Sequence, residues 1–312
     1  MTSVVYFGID VSKAYLDLAT QDRYLGQYAN VSEAFASLLS VLGSSDSCQI
    51  GLESTGVYSQ AIANYLSDTG YTVYMIQPGR VRWFAKSQGI LAKTDAIDGQ
   101  VIAQYIAHTR DLRPYQSPTV EAKSLRALID RRDQLVSDRQ REKCRREACR
   151  DAAMHIHINE FITTLTTLIR DLEGRIDDAL AASESLKQKA VCLQEVSGVG
   201  RQTAVCLLTH LPELGSVNRQ KIAALAGLAP YPDDSGTKTG KRRIYGGRAR
   251  VRRALYLAAL SASRHNATLH KLYTHLLSKG KEKKVALMAI ARRLLAYLNG
   301  LMKTFQNEPE PT

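Results

Sequence analysis

Four carboxylates and one serine are the residues in this sequence best placed to do chemistry. Asp10 lies near the end of the run Val4–Val11, where every other residue except Gly8 is apolar. An ionised carboxylate there is costly to bury unless it is paired or bound to a metal. Glu53 poses the same problem directly after the stretch QIGL. Asp95 and Asp98, in KTDAID, are spaced i and i+3, so a helix puts both on one face. Four hard oxygen donors converging at one place would hold two Mg²⁺ ions. Each acid also has an ordinary use. Asp10 can cap the turn towards Lys13, Glu53 can pair with Lys93, and the helix acids can be favourable N-terminal charges. Their joint placement favours the metal.

Ser235 stands between Asp233-Asp234 and Gly236 at the mouth of a basic segment. From Lys238 to Arg253 eight of sixteen residues are Lys or Arg and none is acidic, which suits a polyanion backbone. The phosphate-contact candidates there are Lys238, Lys241, Arg242, Arg243, Arg248, Arg250, Arg252 and Arg253. Gly236, Gly240, Gly246 and Gly247 let the main chain bend around such a ligand. A serine hydroxyl is a poor nucleophile until a base or metal activates it, and no histidine is close in sequence. On residue type alone Ser235 reads first as a solvated turn residue. Upstream, Ser197-Gly198-Val199-Gly200 separates two apolar helical stretches. That is the shape of a helix-hairpin-helix, in which Gly198 and Gly200 let backbone N–H groups approach a phosphate; a plain tight turn uses the same residues.

The elements that must position these groups follow from hydrophobic periodicity. Apolar runs at 4–12, 15–21, 23–29, 47–55 and 71–78 predict strands, the first three joined by tight turns. Helical spacing at 31–42, at 57–70 and from Asp95 onward gives the order β-β-β-α-β-α-β-α. This is the order of a ribonuclease-H-like α/β domain, expected over residues 1–117. In it the first and fourth strands are adjacent and parallel, which brings Asp10 and Glu53 to one sheet edge. Residues 118–185 read as a spacer of two long helices. Ile158, Ile162, Leu165, Ile169, Leu172, Ile176 and Ala179 form a heptad seam, and the two helices are expected to join near Ala153–Asn159. The seam serves an antiparallel hairpin or a dimerising coiled coil. Residues 186–312 read as a mostly α-helical domain, with three helices after the Ser235 loop near 248–264, 267–277 and 283–305.

Composition agrees with this plan. A chain of 312 residues, 45% hydrophobic and 23% charged, supports two cores and is not disordered. Its net charge of +12 points to nucleic acid. The absence of an apolar run of 18 residues and of a basic-then-apolar leader, with five cysteines and no CxxC pair, points to the cytoplasm and away from the membrane. Three other patterns carry less. GTKTGK is one residue short of a phosphate-binding P-loop and has Arg242 where Ser or Thr belongs. Cys144, Cys149, His155 and His157 share a short window, but a helix splays the two cysteines by about 140°, against zinc. Trp83, among Arg80, Arg82 and Lys86, is either a core or interface anchor or a base-stacking platform.

The motifs GIDVSK, LESTG, KTDAID, GLAPYPDDSG and GGRARVRRALYLAA occur in that order along nearly the whole chain. Together they resemble the insertion-sequence transposases of the DEDD type, the group that includes the Piv DNA invertases and the bridge-RNA-guided serine recombinases. The resemblance implies a RuvC-like domain, a coiled-coil spacer and a C-terminal transposase domain with a nucleophilic serine. It makes Asp10, Glu53, Asp95 and Asp98 the Mg²⁺-binding tetrad and Ser235 the nucleophile. It also implies target and donor DNA, a structured guide RNA facing part of the positive charge around Arg80–Lys86 and Arg131–Arg150, and a homodimer that assembles into a tetramer. There the serine of one protomer meets the acids of another, in a cytoplasmic, nucleoid-associated protein. Gly99 departs from the family pattern, which has alanine there; this weakens the helix by roughly 1 kcal/mol without removing a ligand. Two rivals remain at this level. A metal-only nuclease or junction resolvase needs the acids but not Ser235, and a non-catalytic DNA-binding protein needs neither.

Overall fold

The computed structural model describes residues 4–307 apart from Thr55, Lys93, Asp233, residues 236–239 and Lys241; the side chain of Asn307 also lies outside the description. Packing divides the chain into two compact units, Met1–Thr119 and Val120–Thr312. The long helices therefore lie in the same unit as the C-terminal ones.

The first unit is built on a five-stranded mixed sheet. β1 (Val5–Val11), β2 (Tyr15–Thr20) and β3 (Tyr24–Ala29) are antiparallel neighbours, and β4 (Cys48–Glu53) and β5 (Thr72–Ile76) add in parallel on the other side of β1. The order is β3-β2-β1-β4-β5, as the element sequence predicts. Alternation sorts the two faces. Phe7, Ile9, Val11, Leu16, Leu18, Ile50 and Leu52 point to one side. There they pack on α1 (Phe35–Leu42) and α2 (Gln60–Asp68) through Phe35, Leu38, Ile62 and Leu66. The opposite face carries Gly8, Asp10 and Gly51, and α4 (Asp95–His108) lies across it. One helix was not expected. Pro78 ends β5 and also opens α3 (Pro78–Ser87), because proline at the first helical position forfeits no intrahelical hydrogen bond.

The second unit begins with α5 (Val120–Ala148) and α6 (Ala152–Ala181). They pack antiparallel, with Leu125 and Ile129 against Ile176 and Leu180, and Leu135 against Leu165 and Ile169. The heptad seam is thus used within one chain. The break falls at residues 149–151, ahead of the expected 153–159, because Asp151 caps α6 by accepting a hydrogen bond from Met154 N at 2.9 Å. A third core holds α7 (Glu184–Gln194), α8 (Arg201–His210), α9 (Arg219–Leu225), α10 (Ala249–His265), α11 (Ala267–Ser278) and α12 (Lys283–Asn307), joined through Leu193, Leu207, Leu255, Ile290 and Leu294. A short hairpin of β6 (Pro230–Tyr231) and β7 (Arg243–Ile244) brackets the Ser235 loop. α12 is the one helix among the described residues long and apolar enough to cross a membrane, and half of it is buried in this core.

Candidate active site

Two glycines determine how close the acids come. At Gly8 on β1, a Cβ would run into the carbonyl oxygen of Gly99 and come within 2.6 Å of Ala103 N on α4. At Gly51 on β4 it would lie 2.7 Å from the Ile102 Cγ2 atom. Both distances are too short for real side chains, so the sheet–helix approach requires glycine at these positions. The approach sets the first turn of α4 over the carboxyl end of β1. Thr94 starts that turn, accepting a hydrogen bond from Ile97 N at 3.3 Å. Asp95 and Asp98 both fall in it, where the helix dipole favours negative charge. Glu53 ends β4 one residue beyond the parallel pair Ile9–Leu52, so it lies beside Asp10 on the same face.

The four acids act on one another electrostatically. The Asp10 carboxyl is pushed up to about 7, first by burial and then by the charges of Glu53, Asp98 and Asp95. Its one opposing influence is the hydrogen bond it accepts from Val11 N at 3.0 Å. Such a donor set, all hard oxygen around a reluctant carboxylate, suits a divalent cation. Among the described residues no three metal-ligating side chains are already drawn together into a cage, so closure on an ion requires side-chain movement. Asp17, buried on β2 and cross-strand partner of Asp10, escaped the sequence reading. It accepts hydrogen bonds from Tyr24 Oη at 2.7 Å and Gln27 Nε2 at 3.1 Å, which satisfy it inside the fold. An acid between two leucines in the strand-like YLDLAT was its signal.

Ser235 is exposed in the second unit. Its neighbour Asp234 organises the loop. The Asp234 carboxylate accepts from Arg242 Nη1 at 2.6 Å and from Gly240 N at 3.0 Å, and the Arg242 guanidinium holds it below the usual carboxylate range. Arg243 is exposed on β7, while Lys238 and Lys241 lie outside the described residues.

The other basic candidates divide. Arg248 makes a two-pronged pair with Glu213 at 2.5 and 2.7 Å. Arg250 donates to Asp130 and to His210 Nε2 (2.8 Å), and lies 3.3 Å from Asp133. Arg252 donates to Gly246 O at 2.7 Å. These guanidiniums are occupied by the protein itself; Arg253 is exposed and makes no ion pair among the described residues. Gly198 has φ +99°, and a Cβ there would lie 2.7 Å from the Ala262 backbone, so close packing on α10 accounts for it. Gly200 is exposed at the N-cap of α8. Trp83 is 62% exposed on α3, which removes the core-anchor reading.

Comparison with known proteins covers both units. Residues 7–154 match a family model described as a DEDD-type IS110 transposase, and residues 190–274 match the transposase IS116/IS110/IS902 family. The pilin gene-inverting proteins of Moraxella bovis and Moraxella lacunata are each 27% identical to this chain over 98% of both lengths. A protein of insertion element IS900 from Mycobacterium paratuberculosis is 25% identical over 97% of this chain and 96% of its own.

Proposed function

The chain belongs to the IS110 family of DEDD transposases and DNA invertases, whose membership implies DNA-cleaving recombination, and from that premise we propose that it exchanges DNA strands through a covalent phosphoserine at Ser235. The observation that supports the metal site in this reading is the placement of Asp10 with Glu53, Asp95 and Asp98 on one sheet face by a glycine-dependent helix–sheet contact. Asp10, Glu53, Asp95 and Asp98 are the residues that would hold Mg²⁺, two ions by the count of donors. When bound, the ions supply Lewis-acid polarisation of a phosphodiester and a countercharge for its transition state.

The chain's own residues account for the rest. Ser235 Oγ forms a bond to phosphorus as one deoxyribose oxygen leaves; the serine proton departs and the leaving oxygen gains one. Attack by the hydroxyl of a second strand then reverses the step and frees the serine. The number of phosphodiester-type bonds is unchanged throughout, so no nucleotide hydrolysis is needed. Asp234, fixed by Arg242, orients the loop that presents the hydroxyl. Exposed cations such as Arg243 and Arg253 hold the backbone. We place the functional division at 1–117, 118–185 and 186–312, with Gly200 at a phosphate-facing helix start and a structured guide RNA against the remaining basic surface. Dimerisation falls to α6, where Met154, Phe161 and Leu168 form an exposed stripe at heptad spacing, apart from the seam buried against α5.

The experiment is a suicide DNA substrate incubated with protein, Mg²⁺ and any guide RNA. Wild type should give a covalent complex that survives boiling in detergent. Ser235→Ala should lose the adduct and recombination together, and Asp10→Ala or Glu53→Ala should do the same with nucleic-acid binding retained. Cleavage by Ser235→Ala at the wild-type rate, leaving free ends, would establish the metal-only nuclease instead.

A further inference from the structure

The hairpin that brackets Ser235 also walls a cavity of about 390 Å³ in the second unit, to which Ile244, Arg252, Arg253, Tyr256, Lys284 and Met288 contribute. Among the described residues no acid lines it. The three cations differ in kind. Arg252 is fixed in advance by its bond to Gly246 O at 2.7 Å, and it can lie there because Gly227 has no Cβ to strike its guanidinium. Arg253 and Lys284 are exposed and make no ion pair among the described residues. Tyr256 and Met288 are half-buried, and no hydrogen bond engages the Tyr256 hydroxyl among the described residues. The cavity lies at the starts of two long helices, with Ala249 opening α10 and Lys284 second in α12, and neither has an acid in its first turn. The helix dipoles therefore add to the positive field that the side chains create.

We infer that this cavity is a nucleotide subsite, taking one nucleotide of the DNA strand presented to Ser235, with its phosphate between Arg253 and Lys284 and its base against Tyr256 and Met288. Cations beside an aromatic face are what a single-stranded nucleotide requires, and the volume lies in the range of small-ligand sites. The inference rests on the reading of Ser235 as facing DNA, because the loop and the cavity share one hairpin.

The test measures fluorescence anisotropy of a labelled oligodeoxythymidylate with full-length protein in a Ser235→Ala background, so that no covalent adduct adds to the signal. Tyr256→Ala should weaken binding about tenfold, within the range seen when a base-stacking aromatic is removed, and Tyr256→Phe should restore most of it. Arg253→Gln combined with Lys284→Gln should lower the log–log salt slope by about 0.7, the value for one phosphate contact on a single strand. Circular dichroism establishes that each variant is folded. Unchanged affinity and slope in the folded double variant would overturn the inference. So would a loss confined to an oligouridylate of the same length, which would give the cavity to RNA. If DNA binding responds as expected while Ser235→Ala recombines normally, the cavity stands and the serine reading falls.

Discussion

Asp10 in the first unit and Arg250 in the second are both partly withdrawn from water, and the fold treats them oppositely. Arg250 is met by carboxylates of its own chain, Asp130 and Asp133 on α5, and by the ring of His210. Asp10 is met by three further acids, each of which makes its charge harder to hold. A fold that answers a charge internally is using it for architecture. One that gathers like charge is leaving room for something that is not protein. The same distinction separates Arg248, Arg250 and Arg252 from Arg253 and Lys284, although four of these five lie within one six-residue basic run.

The sharpest way to break this comparison is to remove the arginines singly. Arg250→Ala strips His210, Asp130 and Asp133 of a shared donor and leaves polar groups behind that are buried or half-buried. A loss of about 2 kcal/mol is expected from hydrogen bonds to charged groups at a site still partly open to solvent. That corresponds to roughly 4–8 °C in the melting of the second unit. The salt slope of DNA binding should barely change. Arg253→Ala should do the reverse, with melting held within about 1 °C and a lower slope. A flattened slope and unchanged melting in Arg250→Ala would show that its internal partners are incidental.

How far the sequence alone reaches follows the same line. β1 was legible because it is nearly all apolar, and β4 because Ile50 and Leu52 alternate along it, so an acid on either stands out with its face assigned. That made Asp10 and Glu53 readable, and the i, i+3 spacing added Asp95 and Asp98. Helix α3 was not legible, because Pro78 reads as a stop unless its role at a first helical turn is considered. Nor were the partners of the arginines. A basic run has no periodicity that says which members will meet Glu213, 35 residues back, or Asp130, 120 residues back. Gly198 shows the same limit: a glycine needed for close packing and one needed for a phosphate look alike in sequence.

Acid should sharpen the contrast, because the two units respond with opposite sign. The Asp10 carboxyl ionises at 3.8 when unfolded and at about 7 when folded. In metal-free buffer the folded state therefore binds the proton more tightly, and lowering pH from about 7 to about 4 should stabilise the first unit. The His210 ring goes the other way, from 6.5 unfolded to about 4, with burial the main cause and the charges of Arg126 and Arg248 helping. There the unfolded state holds the proton better, so the second unit should lose stability as pH falls from about 6.5 towards 4. Each effect is at most about 1.4 kcal/mol per pH unit, less for Asp10 because solvent screens it. Emission from Trp83, the single tryptophan, follows the first unit, and amide hydrogen exchange along α8 follows the second. Asp10→Asn should remove the first trend and raise melting in metal-free buffer at neutral pH. A parallel response of both units would mean that neither group governs it.

The smallest expected effect tests whether the close approach of α4 to the sheet is fully used. Gly99→Ala adds the methyl group of the family pattern, and helix propensity alone favours it by about 1 kcal/mol. The new Cβ would lie 3.2 Å from Ala19 Cβ and 3.2 Å from the Asp17 carbonyl oxygen, both on β2. A strand hydrogen-bonded on both sides yields poorly, so the contact should consume most of the gain. Net stability should then move by less than about 0.5 kcal/mol. The two contributions separate in a double-mutant cycle with Ala19→Gly, which removes the methyl opposite and leaves the carbonyl in place. Gly99→Ala should be more favourable in the Ala19→Gly background than in the native one. Cation affinity should fall wherever the crowding shifts α4, because Asp95 and Asp98 ride on its first turn. Additivity in the cycle, with affinity unchanged, would show that β2 gives way to the methyl and that the acids are held by something other than this contact.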